Sequence, residues 1–272
     1  MLPTYELLAI RYATAHLSPD HIFLRADPHE VAGPIDYFVW LIRGEGRTIL
    51  VDTGFGPEQA AARGRTLLRS PAEALAALGV PADTIDTVVL THLHYDHAGN
   101  IAMFPNANFI VQAGEIAGAT GRDMQAPICR AAFAVEDVLE MIRRLFADRA
   151  RLVEGDTELA PGITLHLLGG HTRGLQGVRV HTERGWVMLA SDALHFYANL
   201  TRANPFPVLV DLPGVILAGR KALALAGSLD KLIPGHDPAV TKLYPEHTEV
   251  ADVFDLSAPL LIPVESMLEP RG

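Results

Sequence analysis

The segment Thr91-His92-Leu93-His94-Tyr95-Asp96-His97 places three imidazoles and one carboxylate within six residues. It follows the short apolar run 87–90 and precedes Ala98-Gly99-Asn100, where the chain can turn into a helix. His92 and His94 are two residues apart, so in extended backbone they point to the same side. Asp96 and His97 present their donors where the chain turns. Such a segment can supply two ligands to one metal ion and two to a neighbouring one. A solvated polar loop has no use for three imidazoles crowded behind a buried strand. Further donors stand at the ends of other apolar runs: His171 after 163–168, Asp192 after 186–190 and His236 after 231–233. Imidazole and carboxylate without thiolate suit zinc, and the same set accommodates iron, manganese or cobalt. Two divalent ions ~3.5–4 Å apart lower the pKa of a shared water towards neutrality, which is the chemistry of hydrolysis at a carbonyl or phosphoryl centre.

The elements that must position these donors are legible as apolar periodicity. Strands are expected over 6–12, 36–43 and 48–51, the last two joined by Gly44-Glu45-Gly46, and over 87–90 and 108–111. Ser70-Pro71-Ala72-Glu73 opens a helix with a capping box and Pro in its first turn, and Gly79 ends it. The spacing of Val135, Val138, Leu139, Ile142, Leu145 and Phe146 predicts a helix over 135–146. Strands follow near 163–168, 177–181 and 186–190, then a helix over 213–226 capped by Asp211, then a strand over 231–233. Strands and helices interleave in both halves, so the fold class is α/β or α+β with layered sheets. Turn residues are spread evenly, with no repeat or long linker, which favours one domain over 1–272.

Composition narrows the function classes. The 22 Lys+Arg against 32 Asp+Glu leave a net charge of −10, which argues against a nucleic-acid partner. The single cysteine, Cys129, forms no internal disulfide and fits a reducing cytoplasm. The first residues lack a basic region followed by an apolar run, and no apolar stretch reaches the ~18–20 residues of a membrane span, so neither a secretory leader nor a membrane partner is expected. Residues 195–200 and 205–207 are aromatic and Pro-rich, and they are expected to wall a pocket for a small hydrophobic or acylated substrate. The loop 18–23 is a second candidate for that wall. His16, His21, His29, His166, His181 and His247 show no ligand spacing.

The set His92-x-His94-x-Asp96-His97, Gly170-His171-Thr172, Asp192 and Gly235-His236 resembles the metallo-β-lactamase superfamily, and Asp52-Thr53-Gly54 resembles the turn that precedes the metal motif there. The resemblance runs over roughly 35–240 and is strongest to the N-acyl-homoserine lactonase group. It implies a four-layer αβ/βα sandwich with a dinuclear site along one edge. His92, His94 and His171 would then bind one metal, Asp96, His97 and His236 the second, and Asp192 would bridge them. Asp52 would orient a ligand imidazole, and Asp96 would also shuttle a proton. The implied activity is opening of a lactone, either an N-acyl-homoserine lactone or a similar small cyclic ester, by a protein compatible with a homodimer. The lactonase group carries a Tyr three residues after the bridging Asp. Here that position is His195, with Tyr197 two further on, so either is a candidate to polarise the substrate carbonyl. Thioesterases of the glyoxalase II type resemble the same motif, but they carry a substantial C-terminal region, and only 36 residues follow His236. Cyclic amide, imide and phosphotriester hydrolases and a mono-iron sulfur dioxygenase stay open as alternatives on the same fold.

Overall fold

Strict alternation in the N-terminal strands produces a sheet with two buried faces. Leu8, Ile10, Tyr12, Val39 and Leu41 turn one way, and Leu7, Ala9, Phe38, Trp40 and Ile42 the other, as period-two geometry requires. In this computed structural model, which describes residues 2–27, 29, 30 and 32–268, the strands are β1 (Glu6–Leu17), β2 (Gly33–Gly44), β3 (Arg47–Val51), β4 (Thr66–Leu67), β5 (Thr87–Val89), β6 (Asn108–Gln112), β7 (Ala150–Val153), β8 (Thr157–Ala160), β9 (Ile163–Leu167), β10 (Gln176–Thr182), β11 (Gly185–Ser191), β12 (Leu232–Pro234) and β13 (Val253–Asp255). The helices are α1 (Pro57–Arg63), α2 (Pro71–Ala77), α3 (Tyr95–Ala98), α4 (Ala113–Ala119), α5 (Pro127–Arg130), α6 (Val135–Phe146), α7 (Tyr197–Thr201), α8 (Leu212–Ala226) and α9 (Val240–Leu243).

The first sheet runs β13-β1-β2-β3-β5-β6-β7, with β4 paired to β1, and the second runs β12-β11-β10-β9-β8. Strands β3, β5, β6 and β7 are parallel neighbours, as are β11 and β12. The sheets face each other through Trp40, Val51 and Val89 on one side and Leu165, Val178, Leu189 and Ile233 on the other. Outside the first sheet, Ala74 and Leu75 of α2 and Val138 and Met141 of α6 cover Leu50 and Val88. Outside the second, Ala222 and Ala226 of α8 cover Met188, Ala190 and Leu232. The result is the expected helix–sheet–sheet–helix order.

Several sequence expectations change in extent. The first strand continues to Leu17, because the beginning of β2 gives it pairing partners out to Gly33. The Ser70–Glu73 capping box forms as read. Asp211 sits at the N-cap of α8 but makes no side-chain cap bond. The short elements α1, α7, β7, β8 and β13 had no strong periodic signal, since three to seven residues carry too little pattern to separate from a loop.

Candidate metal centre

Five strands bring their carboxyl ends to one edge of the sandwich. Asp52 follows β3, the 91–97 segment follows β5, His171 follows β9, Asp192 follows β11 and His236 follows β12. This is the edge where layered α/β proteins place ligand sites. Asp52 and Ser191 both hold left-handed backbone, with φ of 63° and 46°, a conformation uncommon outside glycine and concentrated at functional sites. At Gly235 a β-carbon would stand 2.7 Å from Asp192 Oδ1, so only glycine lets the ends of β11 and β12 come together here.

All seven proposed ligands fall in one cluster. His92, His94 and His171 form one group of mutually close donor atoms, and Asp96, His97 and His236 form another. Asp192 stands between them: its Oδ2 is 3.2 Å from His171 Nε2, and its Oδ1 is 3.1 Å from His236 Nε2 and 3.3 Å from His97 Nε2. Every one of the seven is buried.

The surrounding bonds decide which nitrogen of each ring faces the centre. His171 Nδ1 donates to the Val208 carbonyl at 2.6 Å and His236 Nδ1 to the Asp36 carbonyl at 2.9 Å. His97 Nδ1 donates to Asp52 Oδ2 at 2.7 Å. The Thr91 hydroxyl donates to the same Oδ2 at 2.8 Å, so its oxygen accepts from His92 Nδ1 at 3.1 Å and from Ser191 Oγ at 2.9 Å. With each Nδ1 so engaged, the four Nε2 atoms of these rings are the ones aimed inward. His94 reverses the pattern: its Nδ1 meets His171 Nε2 at 2.9 Å. At that distance the two nitrogens share a single hydrogen when no ion is bound, whereas His92 Nε2, His97 Nε2 and Asp192 Oδ1 are buried with no hydrogen-bond partner among the described residues. These orphaned atoms fit a pair of divalent ions.

The electrostatics agree. Burial drives His171 down to about 3 and pushes His92 and His94 well below the usual imidazole range, so these rings are neutral donors. For His97 and His236, burial acts in the same direction but Asp192, with Asp52 beside His97 and Asp96 beside both, outweighs it and raises them. Burial also opposes charge on Asp192, yet the facing imidazoles of His195, His236, His97 and His171 hold its carboxyl well below the usual carboxylate range. Bound cations would replace the protons on His97 and His236.

The two substrate-facing candidates part company. His195 is buried beside the centre, its Nε2 2.9 Å from Asp192 Oδ2 but out of line for a hydrogen bond, and its ring stacks on Phe206 at a centroid distance of 3.6 Å. It also joins His171 and Asp192 in a further close group of donor atoms. Tyr197 does not reach in. Its backbone N–H is held by Asp237 Oδ2 at 2.9 Å as α7 begins, and its hydroxyl donates to the Leu232 carbonyl at 2.8 Å inside the inter-sheet core. The rotation of that short helix sends the phenol away from the metals, which residue spacing alone does not reveal.

Of the expected wall, His195, Asn199, Leu200, Pro205 and Phe206 line a pocket of about 100 Å³ beside Asp192, whereas α7 turns Phe196, Tyr197 and Ala198 to its opposite side. The loop 18–23 lies instead along a second cleft, where Ile22 and Phe23 face α7 from its other side. The six histidines without assigned roles stay outside the cluster; His166 pairs with Asp156 and His181 donates to the Pro3 carbonyl. Glu115 was not singled out in the sequence. Its buried carboxylate accepts from Leu93 N at 2.9 Å, Thr172 Oγ1 at 2.6 Å and Gly174 N at 2.9 Å, tying the His92–His94 loop to the His171 loop. Nothing in a lone acidic residue of a short helix signals this.

The model of the metallo-beta-lactamase superfamily matches residues 32–238. An N-acyl homoserine lactonase of Bacillus cereus is 30% identical over 186 residues, covering 62% of this chain and 68% of the relative. The crystal structure of a quorum-quenching N-acyl homoserine lactone lactonase superposes with a TM-score of 0.74 at 24% identity, covering 89% of this chain and 95% of the other. A dizinc quorum-quenching lactonase solved with a homoserine product has a TM-score of 0.68 at 18% identity, with 88% and 89% covered. No described helix is long and apolar enough to cross a membrane.

Proposed function

Because the chain belongs to the metallo-beta-lactamase superfamily, we propose that it is a dinuclear metal-dependent hydrolase that opens a lactone, an N-acyl-homoserine lactone or a similar small cyclic ester. The observation that carries this reading is the convergence of inward-facing imidazole nitrogens on the two oxygens of Asp192. His92, His94 and His171 would hold one ion, Asp96, His97 and His236 the other, and Asp192 both. Zinc suits this thiolate-free set of neutral imidazoles and carboxylates. When bound, the two ions supply a water of lowered pKa and Lewis acidity at the carbonyl oxygen.

The chain's own groups account for the rest. Asp96 has the most accessible carboxylate of the set, its Oδ2 3.8 Å from His236 Nε2 and 3.9 Å from His97 Nε2. It takes the proton released when water adds to the carbonyl carbon and returns it to the ring oxygen as the C–O bond breaks, leaving a hydroxy acid. The Tyr12 hydroxyl fixes this loop by donating to the Asp96 carbonyl at 2.7 Å. Burial keeps His195 neutral against the pull of Asp192, so one ring N–H is free to point at the carbonyl oxygen as negative charge gathers there. The apolar wall at Phe206 excludes water from that side. The expectation of a cytoplasmic homodimer belongs to the same proposal and is tested by fractionation and sedimentation. The chemistry is tested by metal analysis beside a panel of lactones, thioesters, β-lactams and phosphotriesters. Two ions per chain with preferential lactone turnover support the reading. Failure to open any lactone refutes it.

A further inference from the structure

Helix α8 carries two glycines, Gly214 in its first turn and Gly219 in its interior, and only the first is tightly packed. At Gly214 a β-carbon would stand 2.6 Å from Asp211 Oδ2 and 3.1 Å from the Gly170 α-carbon, so a larger residue would crowd the helix against the His171 loop. At Gly219 the same atom would meet only Leu200 Cδ1 at 3.6 Å and the Ala193 carbonyl at 3.7 Å, which are ordinary contacts. Its backbone is helical, and glycine weakens a helix interior relative to alanine. The missing side chain is therefore unfavourable for the helix and unneeded for packing. What it does is open the pocket of about 100 Å³ whose walls include Leu200, Phe206, Val208 and Ile216 and whose inner end reaches Asp192 and His195. Ile216 and Arg220, both exposed, mark the outer end, so apolar depth stops where the guanidinium begins.

We propose that Gly219 is a specificity-determining residue, and that the slot it opens takes a short apolar arm of the substrate, next to the carbonyl being attacked. The inference rests on the lactone reading for the identity of the ring, but not for the existence of the slot. An apolar cavity of ~150 Å³ accommodates a benzene ring. The slot here therefore holds an arm of about four carbons, and longer arms run out past Arg220 into water.

Two measurements on the metal-loaded protein test this. Calorimetry with acetate, butanoate, hexanoate and octanoate should show affinity rising about fourfold per added methylene until the slot is full, then levelling. Gly219→Leu, which fills the slot, should flatten that rise, and Gly219→Ala should shorten it, while both variants melt at or above the wild-type temperature. In hydrolysis, the ratio of kcat/KM for a lactone bearing a butanoyl or hexanoyl arm to that of bare γ-butyrolactone should fall at least tenfold in Gly219→Leu. A folded Gly219→Leu protein that keeps the wild-type chain-length dependence of carboxylate binding overturns the proposal. A wild-type protein that shows the dependence but opens no lactone supports the slot and refutes only the choice of ring.

Discussion

Asp52→Asn is the sharpest perturbation of the metal centre, because it changes one atom while leaving every ligand in place. Asp52 is fully buried and accepts three hydrogen bonds: from Thr91 N at 2.7 Å on Oδ1, and from Thr91 Oγ1 at 2.8 Å and His97 Nδ1 at 2.7 Å on Oδ2. Burial pushes its carboxyl up, opposed by His97 and Thr91, so its charge depends on those donors. Asparagine has the same shape and tolerates the left-handed backbone at this position. Its amide, however, has one acceptor and one donor end. If the oxygen faces Thr91 N, the NH2 faces His97 Nδ1, and the ring must shift its proton to Nε2, the atom that faces the metals. If the amide flips, the NH2 opposes the Thr91 N–H instead. Either orientation loses a charge-assisted bond worth about 1.5–3 kcal/mol. That range agrees with the 10–100-fold fall in metal affinity typical of losing an outer hydrogen-bond partner. The assay is competition with a graded series of chelators, reading each ion's release by mass spectrometry, with melting curves of the metal-free proteins as control. We expect the ion held by His97 to be released at roughly 10–100-fold lower chelator strength, with the other ion less affected. Wild-type retention of both ions in Asp52→Asn would falsify the assignment of His97's orientation to Asp52.

Three further outcomes follow from particular contacts. His195→Ala should lower kcat about 100-fold, as removal of one oxyanion donor does, while two ions per chain remain; loss of an ion would instead make His195 a ligand. Tyr197→Phe should leave kcat/KM within about twofold, yet reduce stability in urea titration by roughly 1–2 kcal/mol, because the buried Leu232 carbonyl loses its donor; a large loss of kcat alone would return the phenol to the active site. Asp137 Oδ2 is buried without a partner among the described residues, and burial, against Arg63, pushes its carboxyl up to about 7. A carboxyl raised above its unfolded value of about 3.9 stabilises the fold while protonated. Its contribution is therefore present below about pH 4 and lost as pH rises to about 7. Asp137→Asn should accordingly raise the melting temperature more at pH 8 than at pH 5, and an equal change at both would contradict the burial of that charge.

The layered class of the fold was legible in the chain, because a continuous apolar run such as 36–43 reads as a strand buried on both faces and the spacing over 135–146 reads as a helix, although only Val138 and Met141 of that helix are buried and Val135, Leu139 and Phe146 stay exposed. Short elements were not, and α7 is the instructive case. Residue counting left Tyr197 as an alternative to His195 at the metals, whereas its helical turn, anchored by Asp237, aims the hydroxyl into the core. The donor set behaves differently. His92, His94, Asp96 and His97 stand close in the chain, and His171, Asp192 and His236 each follow an apolar run. A strand that ends at a common sheet edge delivers the next side chain to that edge whatever the details of packing.

By itself, then, the sequence showed which side chains could serve as donors and that they follow apolar runs of a layered chain, because residue chemistry and strand periodicity are properties of the chain, while the shared edge of a two-sheet sandwich was what the family resemblance implied. Only the tertiary structure decided which nitrogen of each ring faces inward, that Glu115 ties two loops together, and that Gly219 opens a slot. Those features depend on the Asp36 and Val208 carbonyls, on backbone rotation and on a missing side chain, none of which has a letter in the sequence that announces its role.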